Sequence, residues 1–538
     1  MHVESSFIIL FAVATAVAIG ARWLKIPYTV ALVLAGLAIG SFHTLEAPRL
    51  TKELLFAVIL PGLIFEAAFH LDLRKFWNDR FVIHSLAIPG MVVAVVLTAA
   101  ILAPVANALD FVTDFTMMHA LVFAALIVAT DPIAVVGLFK SLGAPKRLAV
   151  LVEGESLLND GTGIVLFTLV VAGVAEGGFA ADSAVVDFLR VAGLGALLGA
   201  AIGYGASQLI KRIDDAMVEL TLTIIAAYGS FILAEHFHVS GVMATVLAGM
   251  LCGNYAARIG MSPTTRVAVE TSWEYLAFAL NSVVFLLIGF EVRLESLLAA
   301  WKPILVAYLA VMVARAAVVY AVSALFARTK GRIPWSFSAV VTWAGLRGAL
   351  SMVLVLGLAA DFPHREFLVN LTFGVVILSI LLQGLTMGPL LRRLGIAGVR
   401  TAIQESHELE RGRLQAANAA IREIDRMRKE RTTSAALLDT LHGEYSARVD
   451  AAEARIRDLH IEATALREED MRAAQRRLLV AERDAVLQAA HKGIVGSGGL
   501  DELLADIDSR LENLETAPLP ASTSAITEAE PEVPSGDA

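Results

Sequence analysis

The chain reads as an all-α polytopic membrane protein of about thirteen transmembrane helices with a polar helical C-terminal region, and three observations lead there. Of its 538 residues, 57% are hydrophobic and only 18% are charged, where a soluble protein would carry about 25% charge. Up to about Gly395 the apolar residues come in runs of roughly 17–25, each long enough to cross a bilayer core of about 30 Å. The basic residues between the runs are unevenly shared. With the N-terminus outside, inward loops hold fifteen Lys and Arg and outward loops five, the bias expected of cytoplasmic loops.

Taken in order, the runs cover 5–22, 27–43, 53–70, 80–104, 118–140, 149–175, 185–210, 216–236, 239–254, 271–291, 303–326, 335–360 and 366–391. The first follows MHVESS, which lacks the basic stretch of a cleaved signal peptide, so it is counted as a span. Thirteen spans place the C-terminus in the cytoplasm of a cell whose inner (plasma) membrane holds the protein, and Arg392, Arg393 and Arg400 agree with that side. The net charge of -9 says little about partners, because most ionisable groups lie in the loops and the tail; no nucleic-acid partner is expected. Cys252 is the single cysteine, which excludes an intrachain disulfide and a cysteine zinc cluster.

Three regions follow: a membrane domain over 1–395, a cytoplasmic helical region over 396–515, and an acidic tail over 516–538. In the middle region Ile421, Ile424 and Met427, then Leu437, Leu438 and Leu441, recur at the spacing of amphipathic helices. A helical bundle or short coiled coil accounts for this; a regulatory role is the sharper alternative, and no ligand is named by the residues. The tail is rich in Pro, Ser and Glu, a composition that favours disorder.

A charge at the centre of a spanning helix costs about 2.5–3.5 kcal/mol on insertion scales, so it faces a cavity or a partner. The intramembrane set is Glu66, Asp131, Glu155, Asp160, Arg315 and Arg347. In the fifth span Asp131 precedes Pro132, which removes a backbone donor and turns Thr130 and Asp131 away from helix. The freed backbone groups are tolerated only where they line a cavity. In the sixth span Ser156 and Asp160 share a face, with Glu155 and Asn159 on the adjacent strip. Carboxylate, hydroxyl and amide carbonyl are hard oxygen donors, and no His or Cys accompanies them to suit a transition metal. In the twelfth span Gly345 and Gly348 flank Arg347, a second expected break. Interrupted helices at matching positions of two halves mark inverted-repeat transporters.

TDPIAVV (130–136), EGESLLNDGTGIVLF (153–167) and GLRGALSMVL (345–354) together resemble the monovalent cation/proton antiporter family of bacterial NhaP-type proteins and animal Na+/H+ exchangers, and FAVILPGLIFEAAF (56–69) is similar to its third span. The resemblance covers about residues 5–395. It implies a thirteen-span fold with two crossed, broken helices and a homodimer with spans 1–3 and 7–10 at or beside the interface. By matching position it makes Asp160 the carboxylate that binds cation or proton, and Asn159 the amide beside it. Asp131 is the aspartate at the crossing, with Thr130 and Ser156 lending oxygens to the cation. Glu155 and Arg315 become a structural ion pair, Arg347 the arginine of the second broken helix, and Glu66 an acidic group assisting the ion site.

The expected function is antiport of Na+ or Li+ against H+, without cofactor or enzymatic step. A carboxylate in a partly desolvated cavity suits it, since desolvation favours its protonated form and lets it take a proton near neutral pH and yield it to a cation. Asn159 cannot titrate, so one proton per Na+ and electroneutral exchange are expected. K+/H+ exchange is the alternative within the class, because the same oxygens suit both ions. A transport-inactive sensor is a further reading. An intramembrane aspartyl protease is disfavoured by the local sequences Thr130-Asp131-Pro132 and Asn159-Asp160-Gly161, and a channel by the lack of a filter sequence.

Overall fold

The computed structural model describes residues 3–24, 27–41, 55–175, 181–213, 215–291, 294–329, 331–396, 402–430, 434–462, 464–491, 494 and 497–516. Nearly all of the acidic tail lies outside the described residues, as do Lys25, Arg49, Lys52, Arg293, Lys330 and Arg400 among the charges used to orient the spans. The chain divides into two compact units, Met1–Gly398 and Val399–Ala538.

The first unit is all helical and polytopic. Helices α1 (Val3–Leu24) and α2 (Tyr28–Ser41) lead to a wide π turn at Leu55–Ile59 and α3 (Leu60–His70). Two short helices follow, α4 (Leu73–Asn78) and α5 (Arg80–Ser85), neither separately expected from the sequence. Asp72 starts α4 by accepting bonds from the N–H groups of Arg74 and Lys75, the work of an N-cap. A π turn at Leu86–Gly90 carries Pro89 and joins α5 to α6 (Met91–Ala108). Then come α7 (Met117–Ile127), α8 (Ile133–Leu142), α9 (Lys146–Ala175), α10 (Ala181–Ile210), α11 (Ala216–His236) and α12 (Gly241–Leu251). A wide turn at Cys252–Gly260 extends α12, and α13 (Pro263–Glu291), α14 (Leu294–Ala299), α15 (Trp301–Leu325), α16 (Trp335–Trp343), α17 (Ala349–Leu356) and α18 (Arg365–Arg393) complete the unit.

Among the described residues, seven helical stretches are long and apolar enough to cross a membrane. The halves of the broken helices fall short individually because each run is cut in two. Packing is closest where small residues face each other, as membrane helices require in the absence of a hydrophobic force between them. The Cα atoms of Gly36 on α2 and Gly289 on α13 lie so near the opposite backbone that an added Cβ would meet it at about van der Waals overlap. Gly203 on α10 does the same against Ala248 on α12. The Pro89 turn also serves packing. A π turn widens the backbone locally, and the Ala87 carbonyl lies 3.1 Å from the Thr162 hydroxyl of α9, which also reaches the Leu158 carbonyl of its own helix at 2.8 Å.

The second unit holds α19 (Ala402–Glu430), α20 (Ala435–Glu462), α21 (Thr464–His491) and α22 (Ser497–Thr516). Helices α19 and α20 pack along each other, as do α21 and α22. Ile424 and Leu438 are buried as their spacing suggests, whereas Leu437 is exposed. Charged pairs tie the helices: Arg455 of α20 reaches Glu410 of α19 at 3.4 Å, and His407 and Arg411 of α19 meet Asp470 of α21 at 2.9 and 2.6 Å.

Candidate ion-binding site

The site begins with four helix ends brought into the interior. Helix α7 stops at Ile127 and α8 starts at Ile133; α16 stops at Trp343 and α17 starts at Ala349. Pro132 has no N–H to continue a helix, and Gly345 and Gly348 supply the second break with two residues of little helix propensity. Each interruption leaves unpaired carbonyls at one end and unpaired N–H groups at the other. Inside a membrane these need partners.

The two breaks satisfy each other. The Asp131 N–H donates to the Leu346 carbonyl at 2.8 Å. In return Arg347 donates from Nη1 to the Val128 carbonyl at 2.6 Å and to Ala129 at 3.4 Å. Its own N–H donates to Ser379 Oγ of α18 at 3.1 Å. The negative end of α16 is covered by the second arginine: Arg315 of α15 donates to the carbonyls of Val341 and Thr342 at 2.8 and 3.2 Å. Each guanidinium thus meets a helix C-terminus, where a cation is favoured.

Asp131 stands at the opposite ends. Its Oδ1 accepts the Ile133 N–H at 3.0 Å, capping α8. Its side chain also lies against Gly348 at the start of α17, where an added Cβ would come within 2.6 Å of Asp131 Cβ and 2.7 Å of Oδ2. A carboxylate between two helix N-termini is the electrostatic complement of the two arginines.

Helix α9 lays its polar edge along the first break. The Ser156 hydroxyl donates to the Thr130 carbonyl. Asn159 donates from Nδ2 to the Val128 carbonyl at 3.1 Å and to Thr130 Oγ1 at 3.5 Å. This fixes the amide orientation and leaves Asn159 Oδ1 buried without a hydrogen-bond partner. Asp160, partly exposed, is within electrostatic reach of Asp131 and Glu155. Asp131, Thr130, Ser156, Asn159 and Asp160 therefore gather at one crossing, a set of oxygen donors with two carboxylates that fits a small hard cation.

Glu155 and Arg315 sit beside that group. They form two parallel bonds of 3.0 Å, Nη1 to Oε1 and Nη2 to Oε2, with both side chains under a tenth exposed. Fork geometry of this kind is the strong form of an ion pair. Glu66 lies apart from these contacts: its carboxylate is 3.2 Å from His70 Nδ1, one turn later on α3.

Sequence reasoning passed over several participants. Ser379 and Thr162 are single polar residues in apolar helices, and both hydroxyls also bond their own helix, at the Val376 and Leu158 carbonyls, each at 2.8 Å, so nothing local marks them. Asp79 is held by Arg147 at 2.6 Å, and Arg147 also donates to the Arg332 carbonyl at 3.0 Å, so three chain segments share one clamp. The signal available was an Asp next to Arg80 and a few residues after Arg74 and Lys75, which reads equally as a loop.

The profile of a family described as "Sodium/hydrogen exchanger, transmembrane" matches residues 8–393. The chain is 37% identical over 401 residues to the Na(+)/H(+) antiporter ApNhaP of Aphanothece halophytica, covering 74% of this chain and 75% of that protein. It is 32% identical over 516 residues to the Na(+)/H(+) antiporter NhaS2 of a Synechocystis, covering 95% and 93%. The structure of the sodium proton antiporter MjNhaP1 from Methanocaldococcus jannaschii superposes with a TM-score of 0.60 at 19% identity, covering 73% of this chain and 98% of that one, a likeness of fold.

Proposed function

Because the chain belongs to the sodium/hydrogen exchanger family, we propose that it is a secondary antiporter exchanging Na+ or Li+ for H+, with cation and proton competing for Asp160. The observation that carries this reading is the crossing of the two broken helices, where Asp131 donates to Leu346 and Arg347 to Val128 beside the oxygen-lined edge of α9. In this reading Asp160 supplies the exchangeable charge. Thr130 and Ser156 lend oxygens, and the unpartnered Asn159 Oδ1 is a further donor to the cation. Asp131 holds the two helix N-termini and adds negative potential, while Arg315 and Arg347 stabilise the C-terminal ends. Glu66 assists the cation from α3.

The helices of the first unit then make thirteen crossings in two inverted repeats, each with its broken helix second from last, the N-terminus outside and the C-terminus in the cytoplasm. The exposed apolar side chains of α10, Val185, Val186, Leu189 and Leu197 among them, suit lipid or a second copy, in keeping with a homodimer. The second unit is a cytoplasmic region followed by the acidic tail. Exchange is electroneutral because Asn159 cannot titrate beside Asp160.

The test is proton flux in everted vesicles or proteoliposomes after adding Na+, Li+ or K+ in turn, for wild type and Asp160→Asn. Na+- or Li+-driven flux in wild type and none in the variant is expected. Flux with K+ alone would reassign the substrate. Flux in Asp160→Asn equal to wild type would remove Asp160 from the role given to it.

A further inference from the structure

A histidine closes the start of α7. Thr116 is the N-cap of that helix, and its backbone N–H donates to His119 Nδ1 at 3.1 Å, with the Thr116 hydroxyl also 3.1 Å from that nitrogen. In the common form of this capping box a Glu or Gln stands three residues after the cap and accepts the same N–H. A backbone N–H only donates, so Nδ1 offers its lone pair and the ring is neutral, with its hydrogen on Nε2. A further proton can enter only at Nδ1, where it displaces the Thr116 N–H. The charge it brings then stands at a helix N-terminus, the end that disfavours a cation.

A second histidine faces the first. His364 is the N-cap of α18 and holds a left-handed backbone, φ 55°. Its ring meets that of His119 edge to face, with centroids 4.7 Å apart. Phe115 completes the cluster, 5.8 Å from His119, 6.3 Å from His364 and 5.5 Å from Phe367 of α18. Helix α7 packs on α6, α9, α17 and α18. Of these, α6, α17 and the part of α9 beyond Asp160 carry no charge. The loop before α7 holds Asp110 and Asp114, the loop before α18 holds Asp361, and Glu366 on α18 is exposed. Arg365 donates to the carbonyls of Leu356 and Leu358, both at 3.1 Å. Among the described residues, the one charge that acts on the His119 ring is that of His364. The same two helices meet again at the crossing. Helix α7 runs about 12 Å from His119 to Ile127, next to the Val128 carbonyl that Arg347 holds at 2.6 Å, and Ser379 of α18 takes the Arg347 N–H at 3.1 Å.

We propose that His119 makes the fastening of the first broken helix conditional on the proton concentration outside the cell. With the ring neutral, the cap and the histidine pair hold the starts of α7 and α18 together. A proton on Nδ1 releases the Thr116 N–H and sets a cation against the helix start, and a charge on His364 as well drives the two rings apart. The proton binds the loosened start better than the capped one, so the cap is intact at alkaline pH and is lost as pH falls through the range of histidine. A loosened α7 shifts at the crossing and slows exchange. That lowers the maximal rate, whereas proton competition at Asp160 raises the KM for Na+. The inference rests on the antiport reading and on the outward placement of both helix starts within it.

Proton flux at saturating Na+ separates the two effects, measured for the full-length chain in right-side-out vesicles, whose bath is the outer face, and in everted ones. The variant is His119→Gln, whose amide accepts the same Thr116 N–H but does not titrate. The inner pH is fixed and the bath is taken from about 8 to about 5.5, across the range in which histidine changes charge. In right-side-out vesicles the maximal rate of wild type is expected to fall about fivefold further than that of His119→Gln, the scale of losing one helix cap. In everted vesicles an acidified bath should affect the two proteins equally. Equal acid dependence in right-side-out vesicles, or a difference confined to everted ones, would overturn the proposal. Should His119→Gln not accumulate as folded protein, hydrogen exchange of the purified wild type carries the test. The Ala120 amide, bonded to the Thr116 carbonyl at 3.2 Å, should lose protection at about pH 5.5, after correction for the intrinsic pH dependence of exchange, while the amides of α6 keep theirs. Unchanged protection of Ala120 overturns the proposal. Absence of any cation-driven flux in wild type at every pH would bring down the antiport reading itself, and is recognised without comparing the two proteins.

Discussion

Arg315 is bound on every side by groups that cannot turn to water. It makes two bonds to Glu155 and reaches the last carbonyls of α16. Removing one partner of such a pair leaves a desolvated charge, which costs about 3–5 kcal/mol, whereas replacing both by apolar residues is often near neutral. Arg315→Met is therefore expected to lower the melting temperature of the detergent-solubilised protein, by an amount matching that loss. Glu155→Leu combined with Arg315→Met should recover part of it. Recovery stays incomplete because the Val341 and Thr342 carbonyls still lack their donor. An unchanged melting temperature in Arg315→Met would show that the pair carries no structural burden. Glu66 teaches a different lesson at this scale. Its spacing in α3 marks it as an intramembrane acid, but its immediate partner is a histidine one turn away on the same helix, with a second acid brought in from 200 residues later in the chain.

At the scale of elements, the two broken helices function as a single joint. Each break is required by its own residues, Pro132 in one and the two glycines around Arg347 in the other, and each is completed by bonds from the opposite one. Gly348 is the tightest point, since the Asp131 side chain occupies the space a methyl group would need. Gly348→Ala is expected to force the joint apart by tenths of an ångström and reduce Na+-driven flux about ten- to a hundredfold per folded molecule, the scale of loss when reacting groups are slightly misplaced. Gly137→Ala on α8 is the matched control, because nothing lies within 4 Å of the added methyl there. Similar flux in the two variants would mean that the joint has slack. The π turns belong to the same scale. The Pro89 turn is visible in the sequence as a proline in an apolar run, but that its Ala87 carbonyl comes to lie beside the Thr162 hydroxyl depends on how α9 lies against it.

For the whole molecule, the proposed one-for-one exchange has an electrical consequence. A charge moved across the membrane is worth about 2.3 kcal/mol per 100 mV, and electroneutral exchange moves none. Turnover at saturating Na+ should therefore be the same in proteoliposomes clamped at zero and at a negative potential by K+ and valinomycin. Potential-dependent turnover would show that a second charge accompanies the ion, despite Asn159 at the position beside Asp160.

Membership in the exchanger family, the polytopic helical architecture, the positions of both helix breaks and the acid-bearing edge of α9 are all legible in the sequence, because each depends on local properties. Apolar run length sets a span, proline and glycine interrupt it, and helical periodicity puts Ser156 with Asp160 on one face. The tertiary structure alone decides which orphaned group meets which donor. Arg347 bonds Val128 across 219 residues and Arg315 meets Glu155 across 160, and no local pattern encodes those pairings. Their physical cause is common to both: within a membrane neither the free ends of a broken helix nor a charged side chain has water to turn to, so the fold must bring each a distant partner.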